Sequence, residues 1–188
     1  MHNTYLSGCM EAYIGWLPGV NVGGHRKVQM ATLREVLQQE GLQDVATYVQ
    51  SGNFVFKGPP GKSLLSLQLE KVIAAHFGFS VPVVLLRPAE VRALLEAHPF
   101  QGDREKCYYV FFKDSPDPAL ESRLEAGNYP GQRWQLAPWG IYLWCEEGYG
   151  KARLNNNEIE RLGQVRATTR NHRTLCQVLE MAAGLEAS

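Results

Sequence analysis

The sequence predicts an α+β protein built of two ferredoxin-like halves, each with the order β-α-β-β-α-β, packed as one compact unit. Three observations lead to this prediction. Apolar runs of strand length alternate with stretches of helical period. Two turn sequences, SGN at 51–53 and PWG at 138–140, each join two strand-like runs and so predict one hairpin per half. The length of 188 residues suits two small halves that share a core.

The first half is predicted over residues 12–87. Its elements are expected at 13–17 (strand), 28–40 (helix), 45–50 and 54–57 (strands), 63–77 (helix) and 79–86 (strand). Gly41 and Gly78 end the two helices, because glycine readily takes the left-handed conformation of a helix C-terminus. Ser63 is expected to cap the second helix.

The second half is predicted over residues 106–188, after a linking helix and loop at 88–105. Its elements are expected at 107–112 (strand), 115–125 (helix), 133–137 and 141–145 (strands), 157–163 (helix), 165–168 (strand) and 169–183 (helix). The halves match in the order of their elements and not in residue identity, which indicates a duplicated plan.

Composition narrows the classes of partner. Nineteen basic residues balance nineteen acidic ones, whereas a bulk nucleic-acid or membrane-surface binder usually carries a basic excess. No run approaches the ~18 apolar residues of a membrane span. The first eleven residues lack the basic start and apolar core of a secretory signal, and Met10 offers an alternative start. We therefore predict no membrane partner and a cytoplasmic location.

The cysteines support the same location. Cys9, Cys107, Cys145 and Cys176 are far apart and form no CxxC pair, which argues against a disulfide scaffold or a zinc knuckle. Cys107 and Cys145 lie in strand-like apolar runs. We expect them to be buried free thiols.

The segment LPGVNVGGHRK, residues 17–27, is a near match to a phosphate loop. Gly19 and Gly24 have the glycine spacing of a Walker A loop, but His25 stands where the lysine belongs and Arg26 where the hydroxyl residue belongs. The segment therefore fails the test for a nucleotide-magnesium site.

A looser version of the same chemistry remains open. The backbone N–H groups of Gly23 and Gly24, the start of the next helix, and the cations Arg26 and Lys27 together favour an anion. The alternative is structural, with the glycines meeting backbone torsions and Asn21 capping the loop by side-chain hydrogen bonds.

The C-terminal region carries a second basic segment. Between Lys151 and Arg173 the sequence contains six Lys or Arg and only two Glu. The letters ATTRNHRT place Arg170, Asn171 and Arg173 at a predicted helix start, where arginine forks and free N–H groups bind phosphate or carboxylate. The alternative is a solvated helix face with Thr169 or Asn171 as its cap.

No metal-binding or nucleophile constellation is present in the sequence, and we predict no metal and no cofactor. His76 is expected on the buried side of a helix. His98 precedes Pro99 at a helix end, where it could meet the last carbonyls. The reaction, if there is one, is not predicted.

Two long motifs resemble one bacterial family, which is known only as domain of unknown function 1697. YIGWLPGVNVGG and the later YVQSGNFVF are similar to the LRGINVGG and YIQSGNVVF of its opening. KARLNNNEIERLGQVRATTRNHRT is similar to its closing stretch, which ends in A-T-x-R-N-W-N-T. The resemblance implies two related α+β halves and no established reaction.

This chain departs from the family pattern at two positions. Pro18 replaces the arginine of LRG, and His172 replaces the tryptophan after the Arg-Asn pair. If the family binds a ligand through those positions, this chain binds a different ligand or binds more weakly.

We carry three hypotheses of function. The first is one cleft that takes a phosphorylated or carboxylated small molecule, bordered by Asn21, Gly23, Gly24, Arg26, Lys27, Arg170, Asn171 and Arg173. The second is single-stranded nucleic-acid binding on a ferredoxin-like sheet, with Phe54 and Phe56 as stacking aromatics. The third is a protein-interaction module. The sequence leaves the oligomeric state open.

Overall fold

The computed structural model describes residues 9–186 and groups them into two units. Within that range, the first unit comprises residues 9–94 and 176–186, and the second comprises Leu95–Leu175. Residues 1–8, which an alternative start at Met10 would remove, lie outside the described range.

The first unit contains the predicted β-α-β-β-α-β order. Its elements are β1 (Glu11–Trp16), α1 (Met30–Gln39), β2 (Gln43–Tyr48), β3 (Asn53–Gly58), α2 (Lys62–Phe77) and β4 (Val84–Leu86), followed by α3 (Pro88–Glu96). The sheet order is β2-β3-β1-β4, and every neighbouring pair is antiparallel. The hairpin predicted to turn at 51–53 is confirmed, with Tyr48 paired to Asn53. The first unit is therefore ferredoxin-like.

The core of the first unit lies between its sheet and α1 and α2. Tyr13 on β1 stacks on Phe56 of β3 at 5.4 Å between ring centroids, and Phe56 stacks on Phe54 at 5.7 Å. Both phenylalanines are fully buried in this core. The hypothesis that they form a stacking surface for nucleic acid is therefore wrong, because alternate residues of β3 point to the helix-covered face.

The second unit repeats the arrangement. Its elements are β5 (Cys107–Phe112), α4 (Leu120–Glu125), β6 (Gln132–Ala137), β7 (Gly140–Cys145), α5 (Asn156–Gly163) and β8 (Ala167–Asn171); α6 (His172–Glu186) begins here and continues into the first unit. The sheet order is β6-β7-β5-β8, again antiparallel throughout. Leu124 of α4 and Ile159 of α5 pack on Val110 and Ile141, so one sheet face is covered by these helices.

The helix predicted at 169–183 begins three residues later in the structure, at His172. Residues up to Asn171 belong to β8, which pairs with β5 from Phe112↔Ala167 to Tyr108↔Asn171. β-branched Thr168 and Thr169 suit this pairing, so the strand extends and the helix starts only at His172.

Two other elements are each five residues shorter than predicted. The strand expected at 79–86 pairs only over Val84–Leu86, because side chains of α2 satisfy the backbone before it: Ser66 Oγ donates to the Val83 carbonyl, and Glu70 accepts from Val83 N–H. The helix expected at 115–125 covers only Leu120–Glu125, because Asp117 Oδ1 holds the preceding turn by accepting from Ala119 N–H.

Three expectations about single residues are wrong. Ser63 does not cap α2, which begins at Lys62 with Gly61 as the preceding residue at a φ of 106°. His76 is exposed. His98 is buried, and its ring nitrogen lies beside the carbonyl of Phe100 and not beside the carbonyls of α3.

The cysteine prediction is confirmed. None of the four cysteines is in a disulfide, and Cys107 and Cys145 are buried. Burial raises the pKa of the Cys145 thiol to about 11, so this thiol stays protonated at neutral pH and packs as a small apolar group. Across residues 9–186, no helix combines the length and apolar character that crossing a membrane requires.

Candidate functional site

The glycine-rich segment forms an exposed tight turn in the first unit. Val22 and His25 make an isolated β-bridge, and His25 N–H donates to the Val22 carbonyl at 3.2 Å. Gly23 and Gly24 between them have φ of 61° and 79°. Two central residues with positive φ are typical of a type I′ turn, which explains the glycine pair. A Cβ at either glycine would meet nothing within 4 Å, so the tip faces solvent.

Asn21 holds the base of this turn. Its Nδ2 donates to the carbonyls of Val28 (2.9 Å) and Gln50 (2.7 Å), and its Oδ1 accepts from Val28 N–H at 2.9 Å. Asn21 itself has a φ of 58°, which asparagine tolerates better than most residues. The Asn21 side chain is therefore used in hydrogen bonds to the backbone, which agrees with the prediction that it caps the loop.

The second motif of the first half, TYVQSGN, lies directly against the first. Leu17 N–H donates to the Gly52 carbonyl at 2.9 Å. A Cβ on Gly52 would lie 2.7 Å from Val20 Cγ2, so only glycine permits this approach. Buried Asn53 donates from Nδ2 to the Tyr48 carbonyl at 3.1 Å. The two motifs thus form one structure, residues 17–28 and 48–53, which we call the double loop.

The double loop holds backbone strain. Among the described residues, five non-glycine residues have positive φ, and Asn21, Arg26 and Val49 lie here. Val49 is β-branched, has a φ of 49° and is 53% exposed. Such a conformation costs on the order of 1–3 kcal/mol and clusters at functional sites. The strain marks the double loop as a candidate site.

Three adjacent cationic or titratable side chains extend from the turn. His25, Arg26 and Lys27 are exposed, and within residues 9–186 none of them makes an ion pair with an acidic side chain. Helix α1 begins only at Met30, with no side chain bonded at its N-terminus. The arrangement is therefore a charged turn in front of a helix and not a cradle formed by the helix itself.

The cavities within the two units are less suited to an anion. One of about 560 Å³ in the first unit includes Arg87, whose guanidinium pairs with Glu11 at 2.9 Å. Another of about 310 Å³ in the second unit includes Lys151, which pairs with Glu147 at 3.0 Å. In both, a carboxylate already neutralises a cation, whereas the cations of the double loop are unpaired.

The basic C-terminal segment falls in the second unit and its three candidate residues have different settings. Arg170 lies on β8, and its Nη1 donates to Thr168 Oγ1 (2.7 Å) and the Thr169 carbonyl (2.9 Å). Burial lowers the Arg170 pKa to about 10, so the group stays charged at neutral pH. Asn171 Oδ1 accepts from Thr174 N–H at 2.8 Å and so caps α6. Arg173 is exposed in the first turn of α6.

The predicted site residues therefore divide between the units. The first unit holds Asn21, Gly23, Gly24, Arg26 and Lys27, and the second holds Arg170, Asn171 and Arg173. One cleft shared by both groups stays a prediction.

The sequence placed His98 at a helix end, and the structure gives this histidine of the second unit a different setting. His98 is 5% exposed, and its ring lies 5.2 to 5.6 Å from those of Tyr109, Tyr142 and Phe100. Within the described chain, its Nε2 has no hydrogen-bond partner. Burial lowers the His98 pKa to about 4, and the nearby charges of Arg104, His172 and Arg133 add to the effect.

We expect this histidine to make the protein less stable in mild acid. Unfolded His98 takes up a proton near pH 6.5, but the folded ring does so only near pH 4. The contribution of the neutral, buried His98 ring to the free energy of unfolding is thus complete above pH 6.5. It is lost as the pH falls toward 4, and the loss is on the order of 3 kcal/mol at most. Urea unfolding at several pH values should show a shallower decline for His98→Gln than for the wild type. Equal declines would contradict the assignment to His98.

Comparison with known proteins identifies the family. The chain matches the model of a protein of unknown function, DUF1697, over residues 10–142. The protein belongs to the DUF1697 family. The double loop lies inside the matched range, and the basic C-terminal segment lies beyond it.

One solved structure is similar over nearly the whole DUF1697 chain. It is the conserved bacterial protein SP0830 from Streptococcus pneumoniae, which is 27% identical, with a TM-score of 0.76. The match covers 93% of this chain and 99% of that one. No curated protein matches the chain.

Proposed function

We propose that the double loop of this DUF1697 protein binds the phosphate or carboxylate group of an anionic small molecule. The observation that carries the proposal is the row of His25, Arg26 and Lys27, which are exposed, adjacent and without acidic partners in the described chain. Arg26 and Lys27 are unpaired cations on one strained turn, so they attract an anion without first having to break an ion pair.

The turn also offers backbone donors. Gly23 and Gly24 carry no side chains that would shield their N–H groups, and a Cβ at either would meet nothing within 4 Å. Successive exposed N–H groups in a glycine turn bind anions in many proteins. Asn21 anchors the base of the turn with three hydrogen bonds, so little loop ordering is needed on binding.

The proposal includes a cytoplasmic setting, which the buried free thiols Cys107 and Cys145 support. A pair of charge-assisted contacts at an exposed surface corresponds to a dissociation constant for inorganic phosphate on the order of 1 mM, and a larger ligand would bind more tightly.

We expect sodium phosphate and sodium pyrophosphate to shift the backbone amide signals of Gly23, Gly24 and Lys27 in an NMR titration of the full chain. The shifts should saturate and exceed those caused by sodium chloride at equal ionic strength. Arg26→Ala should weaken binding roughly tenfold to a hundredfold, because it removes a contact of ~1.5–3 kcal/mol.

Two further variants sharpen this test. Lys71→Ala removes an exposed cation of α2 and should leave binding unchanged. Arg170→Ala should weaken binding roughly tenfold to a hundredfold if the second unit contributes; unchanged binding would confine the site to the double loop. Shifts that follow ionic strength alone, or that Arg26→Ala and Lys71→Ala reduce equally, would refute the proposal.

A further inference from the structure

Cationic and aromatic side chains meet at one end of strands β5, β6 and β7 in the second unit. They are Phe100, Arg104, Lys106, Arg133 and Trp144, and we call them the Trp144 edge. Trp144 on β7 is directly opposite Arg133 on β6 and Cys107 on β5, so the three share one face. It is the face opposite Leu143, which packs under α4 and α5.

Arg133 lies between two rings. Its guanidinium carbon is 4.2 Å from the ring centroid of Trp144 and 5.1 Å from that of Phe100. Lys106 Nζ is 5.5 Å from the Trp144 centroid. Cation–π contacts at these distances hold the arginine in place while its N–H groups remain able to donate.

The cations of this edge are unpaired. Within residues 9–186, Arg104, Lys106 and Arg133 make no ion pair with an acidic side chain. The acids nearest in sequence are Asp103 and Glu105, and Asp103 Oδ1 already accepts from Glu105 N–H at 2.9 Å. The positive charges of Arg104 and Arg133 also act on the buried His98, since both contribute to lowering its pKa.

Two polar atoms near this edge are buried without a partner in the described chain. They are the indole Nε1 of Trp144 and Nε2 of His98, and His98 is more than nine-tenths buried. Both atoms have almost no surface open to solvent, and burying a polar atom without a partner is unfavourable.

We infer that the Trp144 edge binds a short stretch of single-stranded nucleic acid. Bases pack against the exposed guanidinium of Arg133, which Phe100 and Trp144 hold in place, and the phosphates meet Arg104 and Lys106. Aromatic side chains beside a cationic track are the usual way in which proteins bind single strands, and ferredoxin-like sheets of the RRM type use their central strands for it. Tyr109 and Tyr142 on the same face are buried, so the site is limited to one or two bases.

The inference is independent of the anion site on the double loop. It rests on residues of the second unit, none of which belongs to the double loop. The test uses the full chain and a fluorescein-labelled oligothymidylate of about 12 nucleotides, followed by anisotropy from about 50 to 200 mM salt.

Arg133→Ala should weaken oligonucleotide binding roughly tenfold, because it removes both a stacked plane and a charge. It should also reduce the slope of log K against log salt by about 0.7, the value for one phosphate contact with a single strand. Arg133→Lys keeps the charge but not the plane and should lose only part of the affinity. Trp144→Leu should weaken binding with the slope unchanged.

Arg161→Ala is the matched control, since it removes the same charge from α5, on the covered side of the sheet. Absence of oligonucleotide binding at about 50 mM salt would overturn the inference. So would equal losses for Arg133→Ala and Arg161→Ala, or equal competition by inorganic polyphosphate and by unlabelled oligonucleotide at the same charge. Near-UV circular dichroism of each variant establishes that it is folded.

Discussion

Replacing Gly140 with alanine should cost the second unit more than about 4 kcal/mol of unfolding free energy. A Cβ at this position would lie 1.8 Å from the backbone oxygen of Val110 and 3.2 Å from Cα of Phe111. Both belong to β5, the strand that pairs with β7 through Phe111↔Gly140. Since a backbone oxygen cannot rotate away as a side chain can, the pair of central strands must separate locally.

A loss of this size approaches the whole stability of a small domain, ~5–15 kcal/mol. We therefore expect Gly140→Ala to lower the urea midpoint sharply or to leave the unit unfolded. The fluorescence of Trp134, Trp139 and Trp144 measures this unfolding. Gly150→Ala is the control, because a Cβ there meets nothing within 4 Å. It should change stability by less than ~0.5 kcal/mol. Equal midpoints for the two variants would show that β5 and β7 are not paired in this register.

Replacing Asn21 with aspartate should destabilise the first unit by about 2–4 kcal/mol. The substitution keeps the shape of the side chain but removes both donors. An oxygen would then face the carbonyls of Val28 and Gln50, which now lie 2.9 and 2.7 Å from Nδ2. Two carbonyl oxygens would lose their donor and meet a negative charge, so the two segments of the double loop should separate.

Asn157→Asp is the matched control for this substitution. Asn157 is exposed in the first turn of α5, where a negative charge is favourable, so stability should change by less than ~0.5 kcal/mol. Urea unfolding measures both variants, and the amide signals of Gly23 and Gly24 report the loop directly. If Asn21→Asp were as stable as Asn157→Asp, the hydrogen bonds of Asn21 would not hold the double loop.

These expectations give the glycine segment two separate roles. Asn21 and Gly52 build the double loop through hydrogen bonds and close packing, and their substitution acts on stability. Arg26 and Lys27 project from it, and their substitution should act on ligand binding with little effect on stability. Measuring both quantities for each variant separates the fold of the loop from its proposed function.

Short-range features were predictable from the sequence. The hairpins at 51–53 and 138–140 follow from turn residues between two apolar runs, and both β2–β3 and β6–β7 pair as expected. The order β-α-β-β-α-β follows from the alternation of periods. The interpretation of Asn21 as a cap was available for the same reason, since an asparagine side chain bonds mainly to nearby backbone.

Only the tertiary structure decided the rest. Thr168 and Thr169 fit a strand or a helix start, and β5 selected the strand by pairing with them. Phe54 and Phe56 have the alternation of a stacking surface, and α1 and α2 made their face the core. Arg133 and Trp144 are eleven residues apart, and their contact depends on the register of a hairpin. Local sequence therefore determined where this chain turns and which elements it forms. Long-range pairing determined which faces are buried, because burial is a property of what packs on a residue and not of the residue itself.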